Sequence, residues 1–259
     1  KIMDFNGKEV KRAWQRVDMT LEGAEKGGYD HFMLKEIFEQ PKVIQDTIIG
    51  ANLNAESGYS ISLRPDTIKI IACGTSYHAG YVGKYMLEEL AHIPTTVELA
   101  SEYRFSTSTS SEPLVIGISQ SGETSDTLSA LRTAQKRGLA TLGIVNIVGS
   151  TMTRETDSVF YTRAGLEVGV AATKTYITQL VAMLTLAIKM GVANEALGID
   201  DARYLAGELR KLPKHVRSVL DQSDKILELA NEISGARSMF FLGRNLNYPV
   251  ALEGALKMK

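Results

Sequence analysis

The chain has 259 residues, of which 44% are hydrophobic and 23% charged, and a net charge of −1, a composition ordinary for one large folded domain or two modest ones. Lys and Arg are scattered among acids, which excludes the clustered basic face that a nucleic-acid partner requires. The single cysteine, Cys73, excludes an intramolecular disulfide and fits a reducing, cytoplasmic setting. Cys73 lies in the apolar run "IKIIACG" and reads as a small core side chain rather than a nucleophile. His31, His78, His92 and His215 show no metal-ligand spacing, so neither a metal site nor a cofactor is expected. No secretory or transit pattern opens the sequence. The longest apolar stretch, Ile177–Met190, contains Thr178, Gln179, Thr185 and Lys189; it is too short and too polar for a membrane span and reads as a buried helix.

In chain order, residues 1–28 lack an extended hydrophobic pattern and end in Gly27–Gly28. They read as the tail of a preceding domain plus a linker. Connecting helices are expected over 29–54, where Phe32, Ile37, Val43 and Ile48 have helical spacing and Pro41 is expected to break the run. From Ile68 a regular alternation begins. "IKIIACG" is a buried strand, "SYHAGYVGKYMLEELA" a helix, "TTVELA" and "LVIGIS" strands, and "ETSDTLSALRTAQKRG" a helix with Gly138 as its C-cap. "ATLGIVN" and "SVFYTRAG" are strands, and "TKTYITQLVAMLTLAIKMG" is a long helix. This grammar predicts an α/β fold with a doubly wound parallel sheet over about residues 55–192. Residues 193–234 read as inter-domain helices separated near Pro213. Residues 235–259, with "RSMFFLGRNLNYPVALEGALK", repeat the strand, glycine, turn and helix of "IKIIACGTSYHAGYVGKYMLEE", as the start of an internal duplication would. Both ends read as cut from a longer polypeptide, since the chain opens on Lys1 and closes within a helical pattern.

Ligands of an open parallel sheet gather at the carboxyl ends of its strands. Three small, hydroxyl-rich or glycine-containing loops are expected there: "CGTS" (73–76), "SQSGETS" (119–125) and "EVGVAATK" (167–174). Helix capping and turn formation account for any one of them. Three at one sheet edge favour an anion bound by helix N-termini, with Ser119, Ser121 and Thr124 as hydroxyl donors and Gln120 able to donate to a phosphate or a sugar oxygen. Neither G-x-x-x-x-G-K-[ST] nor a G-x-G-x-x-G following a strand is present, so a small phosphorylated metabolite fits better than a nucleotide. Glu253 and Lys257 stand four residues apart on one helix face. By spacing alone they form a surface ion pair of about 0.3–0.5 kcal/mol.

In this order and spacing, "CGTS", "SQSGETSDT", "GVAATKTYITQL" and "LGRNLNYPVALEGALK" closely resemble the isomerase half of the glutamine–fructose-6-phosphate aminotransferases (glucosamine-6-phosphate synthases). "GGYDHFMLKEIFEQP" resembles the segment that joins that family's glutaminase domain to its isomerase domain. The resemblance runs from about residue 28 to 259 and implies a flavodoxin-like sugar-isomerase (SIS) domain followed by the start of a second SIS repeat. On that reading residues 1–28 are expected to be the tail of the preceding glutaminase domain with a linker. It implies that fructose 6-phosphate accepts ammonia from glutamine at C2, and that a proton then moves from C1 to C2 to give glucosamine 6-phosphate. Ser119, Gln120, Ser121 and Thr124 then match the phosphate cradle, Thr75, Ser76 and Val170 the sugar contacts, and Lys257 a lysine of the catalytic helix. Proton transfer beside a carbonyl also calls for a nearby carboxylate. The implied ligands are fructose 6-phosphate, glucose 6-phosphate and glucosamine 6-phosphate. The implied partners are a glutaminase domain and a second copy in a homodimer, without nucleic acid or membrane.

The departures are the family's cysteine nucleophile, its proton-moving glutamate, its ring-opening histidine and its Schiff-base lysine, none of which falls within these residues. The 259 residues alone are therefore expected to bind sugar phosphate without making product. Two other readings of the same domain stay open: a sugar-phosphate-sensing regulatory module and a simple aldose–ketose phosphate isomerase. The first normally carries a basic helix-turn-helix, which residues 1–55 lack; the second needs neither the joining segment nor a second repeat.

Overall fold

The apolar runs of the sequence become the inner strands of a parallel sheet, in a computed structural model that describes residues 2–11, 25–53, 64–106 and 113–259. The strands are β1 (Ile68–Ala72), β2 (Thr95–Leu99), β3 (Leu114–Ser119), β4 (Thr141–Val145) and β5 (Ser158–Tyr161), in the order β2-β1-β3-β4-β5. All four pairings are parallel, with Ile70 opposite both Val97 and Ile116. β3 and β4 are buried at every residue, as strands covered on both faces must be.

Alternate residues of each strand serve opposite cores. Ile68, Ile70, Leu114, Ile116, Ile118, Leu142 and Ile144 pack against α2 (Gly74–Ala91) and α6 (Lys174–Ala193). Ile71, Val115 and Val145 face α3 (Ala100–Tyr103), α4 (Ser125–Lys136) and α5 (Thr151–Glu155). Each fully buried isoleucine contributes roughly 1.5–3 kcal/mol. A third layer sets α1 (Phe32–Ala51) and α7 (Ile199–Leu220) against the outer side of α6, through Ile44, Ile48, Val181, Ile188, Ala202, Ala206 and Leu209. Apolar enough to cross a membrane by length and composition, α6 is instead largely buried inside this fold. Gly138 follows α4 with φ +78°, in the left-handed conformation expected of a C-cap.

Three expectations are corrected. α1 runs unbroken through Pro41, and α7 through Pro213. A mid-helix proline removes one amide donor at a cost of about 3 kcal/mol. Val43, Ile44 and Ile48 on one helix, and Leu209, Leu212 and Val216 on the other, continue the apolar face past the proline and hold it helical. The break near Pro213 falls instead at residues 221–222, before α8 (Ser223–Ile233). The third correction concerns "RSMFFLG". Its residues form no strand, and Phe240 and Leu242 are exposed. An extended segment becomes a strand only beside a ladder partner, and no described strand pairs with this one. The helix after it does form, as α9 (Asn247–Met258). Near the start of the chain, Met3 and Glu9 make an isolated antiparallel bridge; residues 12–24 lie outside the described residues.

The close approach of α6 to the end of α2 gives a test of the packing. A Cβ on Gly191 would lie 3.0 Å from Leu197 Cβ and closer still to the main-chain oxygen of Leu90, which has no rotamer by which to withdraw. Gly191→Ala is expected to destabilise the chain by about 1–3 kcal/mol. The signature is a lower urea midpoint at unchanged slope.

Candidate functional site

Strand order reverses beside β1, whose neighbours are β2 and β3. The carboxyl ends of β1 and β3 therefore flank the crevice where open α/β sheets bind ligands. β1 enters α2 directly through Cys73, β3 enters α4 through residues 120–124, and β5 reaches α6 through residues 162–173. All three predicted loops thus share one edge of the sheet.

The loop after β3 is built around Ser119, which is 2% exposed. Its hydroxyl accepts a hydrogen bond from the Gly122 amide at 3.0 Å and lies 2.9 Å from the Thr124 hydroxyl. The Ser121 hydroxyl accepts from the Glu123 amide at 3.1 Å, and Gln120 O accepts from the Asn146 amide at 3.2 Å. Gly122 turns the chain with φ +65°. Its carbonyl accepts from the Met152 amide, and Glu123 Oε1 from the Thr151 amide at 2.7 Å, so the loop is clamped to α5. Thr124 stands at the N-cap of α4 without a side-chain capping bond. The amides of that first turn are left for another acceptor, and the helix dipole favours an anion there.

A second group of residues joins α2 to α9. Glu253 is 4% exposed. Its Oε1 accepts from the Thr75 hydroxyl at 3.0 Å and pairs with Lys257 Nζ at 2.8 Å, while Oε2 lies 2.7 Å from His78 Nδ1. Lys257 Nζ also donates to Thr75 Oγ1 at 2.9 Å, which closes a three-membered ring of polar contacts. Burial of the Glu253 carboxyl works to raise its pKa. The hydrogen bonds from His78, Lys257 and Thr75, with the charge of Lys257, outweigh burial and hold it below the ordinary carboxylate range. The Tyr176 hydroxyl, buried without a hydrogen-bond partner, is pushed up to about 12, first by burial and then by the Glu253 charge. Ser76 Oγ accepts from Gln179 Nε2 of α6 at 3.0 Å. Rings of Tyr81 and Tyr248 meet edge to face at 5.8 Å and complete the seam between α2 and α9.

The third loop presents Val170, whose side chain is fully exposed. Glu167 folds this loop onto the start of α6 by accepting from the amides of Thr173 and Thr175, at 2.9 and 3.2 Å, and from the Thr175 hydroxyl.

Lys257 and Thr75 are therefore in direct contact, and Ser119, Gln120, Ser121 and Thr124 form one turn. Ser119 is committed to the inside of that turn. The expectation of a surface ion pair is corrected: Glu253 is a buried carboxylate with three side-chain partners, because α9 docks its Glu253 face on the first turns of α2. His78, Glu253, Tyr176 and Gln179 were not anticipated as parts of the site. The i, i+3 spacing of Thr75 and His78 on a helix, beside the i, i+4 pair, was the available signal. Among the described residues no His, Cys, Asp or Glu cluster suits a metal ion.

Comparison with known proteins agrees with this architecture. The family described as "SIS domain" matches residues 63–189. The curated glutamine–fructose-6-phosphate aminotransferase [isomerizing] of Thermus thermophilus is 47% identical over the whole of this chain, which spans 44% of that relative's length. The solved C-terminal domain of glucosamine-fructose-6-phosphate aminotransferase from Francisella tularensis superposes with a TM-score of 0.85 at 38% identity, over 90% of this chain and 68% of that one. A glucosamine-6-phosphate deaminase structure from Thermotoga maritima follows at a TM-score of 0.70 and 25% identity, over 88% of this chain and 66% of that one. The chain belongs to the glutamine–fructose-6-phosphate aminotransferase family, whose SIS-domain isomerase part it represents.

Proposed function

We propose that this chain is the sugar-phosphate-binding portion of an enzyme that converts fructose 6-phosphate and glutamine to glucosamine 6-phosphate and glutamate. The observation that carries the reading is the ring formed by Thr75, Glu253 and Lys257. It sets a charged donor and a hydroxyl at the carboxyl edge of β1, beside the clamped loop after β3.

In this reading the phosphate lies against the uncapped first turn of α4, with Ser121, Thr124 and Gln120 around it. Ser119 shapes the turn from beneath. Lys257, ion-paired with Glu253, gives a sugar oxygen an ammonium donor that is already oriented. Thr75 and Ser76 line the same end of α2, and the main chain at Val170 meets the sugar hydroxyls from the side of α6. Preorganised donors of this kind stabilise charge on an oxygen without reorganising during the reaction. The glutaminase domain as source of ammonia, a homodimeric assembly and a cytoplasmic setting belong to the same proposal.

Calorimetric titration with glucose 6-phosphate, beside glucose and inorganic phosphate, tests it. The sugar phosphate is expected to bind well above either fragment. Ser121→Ala is expected to weaken it about tenfold through loss of one hydrogen bond to a charged group. Equal binding of glucose and glucose 6-phosphate would remove the phosphate cradle from the 119–124 turn.

A further inference from the structure

We propose that Glu36, far from the phosphate turn in sequence and on a different helix, is a positioning residue for the sugar side of the site. The inference rests on the sugar-phosphate reading above. Glu36 lies on α1 and is 2% exposed. Its Oε1 accepts from two consecutive main-chain amides of the third loop, Val168 at 2.6 Å and Gly169 at 3.0 Å. Its Oε2 is buried without a hydrogen-bond partner. A Cβ on Gly169 would come within 2.5 Å of that oxygen, so the bare backbone at position 169 lets the loop lie directly against this carboxylate.

One helical turn on, Glu39 Oε2 pairs at 2.6 Å with Lys174, which is 3% exposed and opens α6. Lys35 stands 3.7 Å from the other Glu39 oxygen. With the bonds from Glu167 to Thr173 and Thr175, the loop is pinned at 167–169 and again at 173–175. Between the pins stands Val170, the residue assigned to the sugar. A buried carboxylate that leaves one oxygen unpartnered is costly, and packing alone would be served better by an apolar side chain. What the carboxylate adds is a fixed acceptor for two adjacent amides, which sets the direction of the peptide groups leading into Val170.

Reach distinguishes the variants. Glu36→Asp keeps the charge and draws the acceptor back by one methylene; Glu36→Gln keeps the reach and one carbonyl acceptor. Glucose 6-phosphate and inorganic phosphate are titrated into each variant of the 259-residue chain, and hydrogen exchange is followed at the Val168 and Gly169 amides. Glu36→Asp is expected to weaken glucose 6-phosphate about tenfold and to speed exchange at both amides, with inorganic phosphate within about twofold of wild type. Glu36→Gln is expected to restore sugar-phosphate binding to within about threefold. Unchanged sugar-phosphate binding in Glu36→Asp overturns the proposal. So does an equal loss of both ligands together with a fall in melting temperature, which marks a merely structural role. A wild-type chain that binds no sugar phosphate overturns the function proposed above instead, an outcome read before any variant is made.

Discussion

Gly122→Ala is expected to abolish glucose 6-phosphate binding while the sheet remains folded. Gly122 holds φ +65° within the turn after β3, a conformation that costs an L-residue roughly 1–2 kcal/mol. The added Cβ would also lie 2.7 Å from Val145 Cγ2 and 2.7 Å from Ser150 Cβ. Both neighbours are buried, so neither withdraws freely, and crowding adds about 1–3 kcal/mol. Relief comes from moving the turn, because Val145 belongs to β4 and is held by the sheet. The turn carries Gln120, Ser121 and Thr124, the residues proposed to hold the phosphate, so relief of the clash would displace all three. Gly138→Ala is the control. It has φ +78° but nothing within 4 Å of the added Cβ, so it is expected to lower stability without changing affinity. Calorimetric titration and thermal melting of both variants check the pair. Full affinity in a folded Gly122→Ala chain would show that the turn does not hold the ligand.

Glu253→Ala is expected to be the most destabilising single change at the site, by about 3–5 kcal/mol, because it leaves half-buried Lys257 and His78 without their carboxylate. Glucose 6-phosphate binding should fall by more than tenfold, since an unpaired Lys257 loses its fixed direction. The acid limb of stability carries a second signature. The folded-state pKa of Glu253 is depressed below its ordinary value of 4.5. Its contribution is therefore fully present above about pH 4.5 and is lost as pH falls through the depressed folded-state value. Wild-type stability should thus decline more steeply in acid than that of Glu253→Gln, which has no carboxyl to protonate at this position. Urea midpoints measured from pH 7 downward distinguish the two. Parallel curves for wild type and Glu253→Gln would show that the carboxylate is not held by the contacts described here.

Local chemistry accounts for what could be read in advance. Ile68–Ala72 and Leu114–Ser119 are strands buried on both faces, and continuous apolar runs of that length say so without reference to partners. The helix over Lys174–Ala193 and the loop over 119–125 follow from periodicity and from small hydroxyl residues at a strand-to-helix turn. The misreadings share one cause. Pro41 and Pro213 are local stop signals, overridden by apolar faces that find partners across helices. "RSMFFLG" is a strand in pattern only, since a strand needs a neighbour that local pattern does not supply.

The sequence by itself determined the α/β class, the five strands of the sheet with the helices over 74–91, 125–136 and 174–193, the family, and the three loops at one sheet edge, because each depends on contacts within a few residues or on matched motifs. Only the tertiary structure decided that Glu253 is buried, that it binds Thr75 across 178 residues, and that Glu36 holds the loop before Val170 across 132. Burial and partnership of a charge depend on which distant surfaces meet. An i, i+4 pair of acid and lysine looks the same in sequence whether its helix faces water or the first turn of another helix.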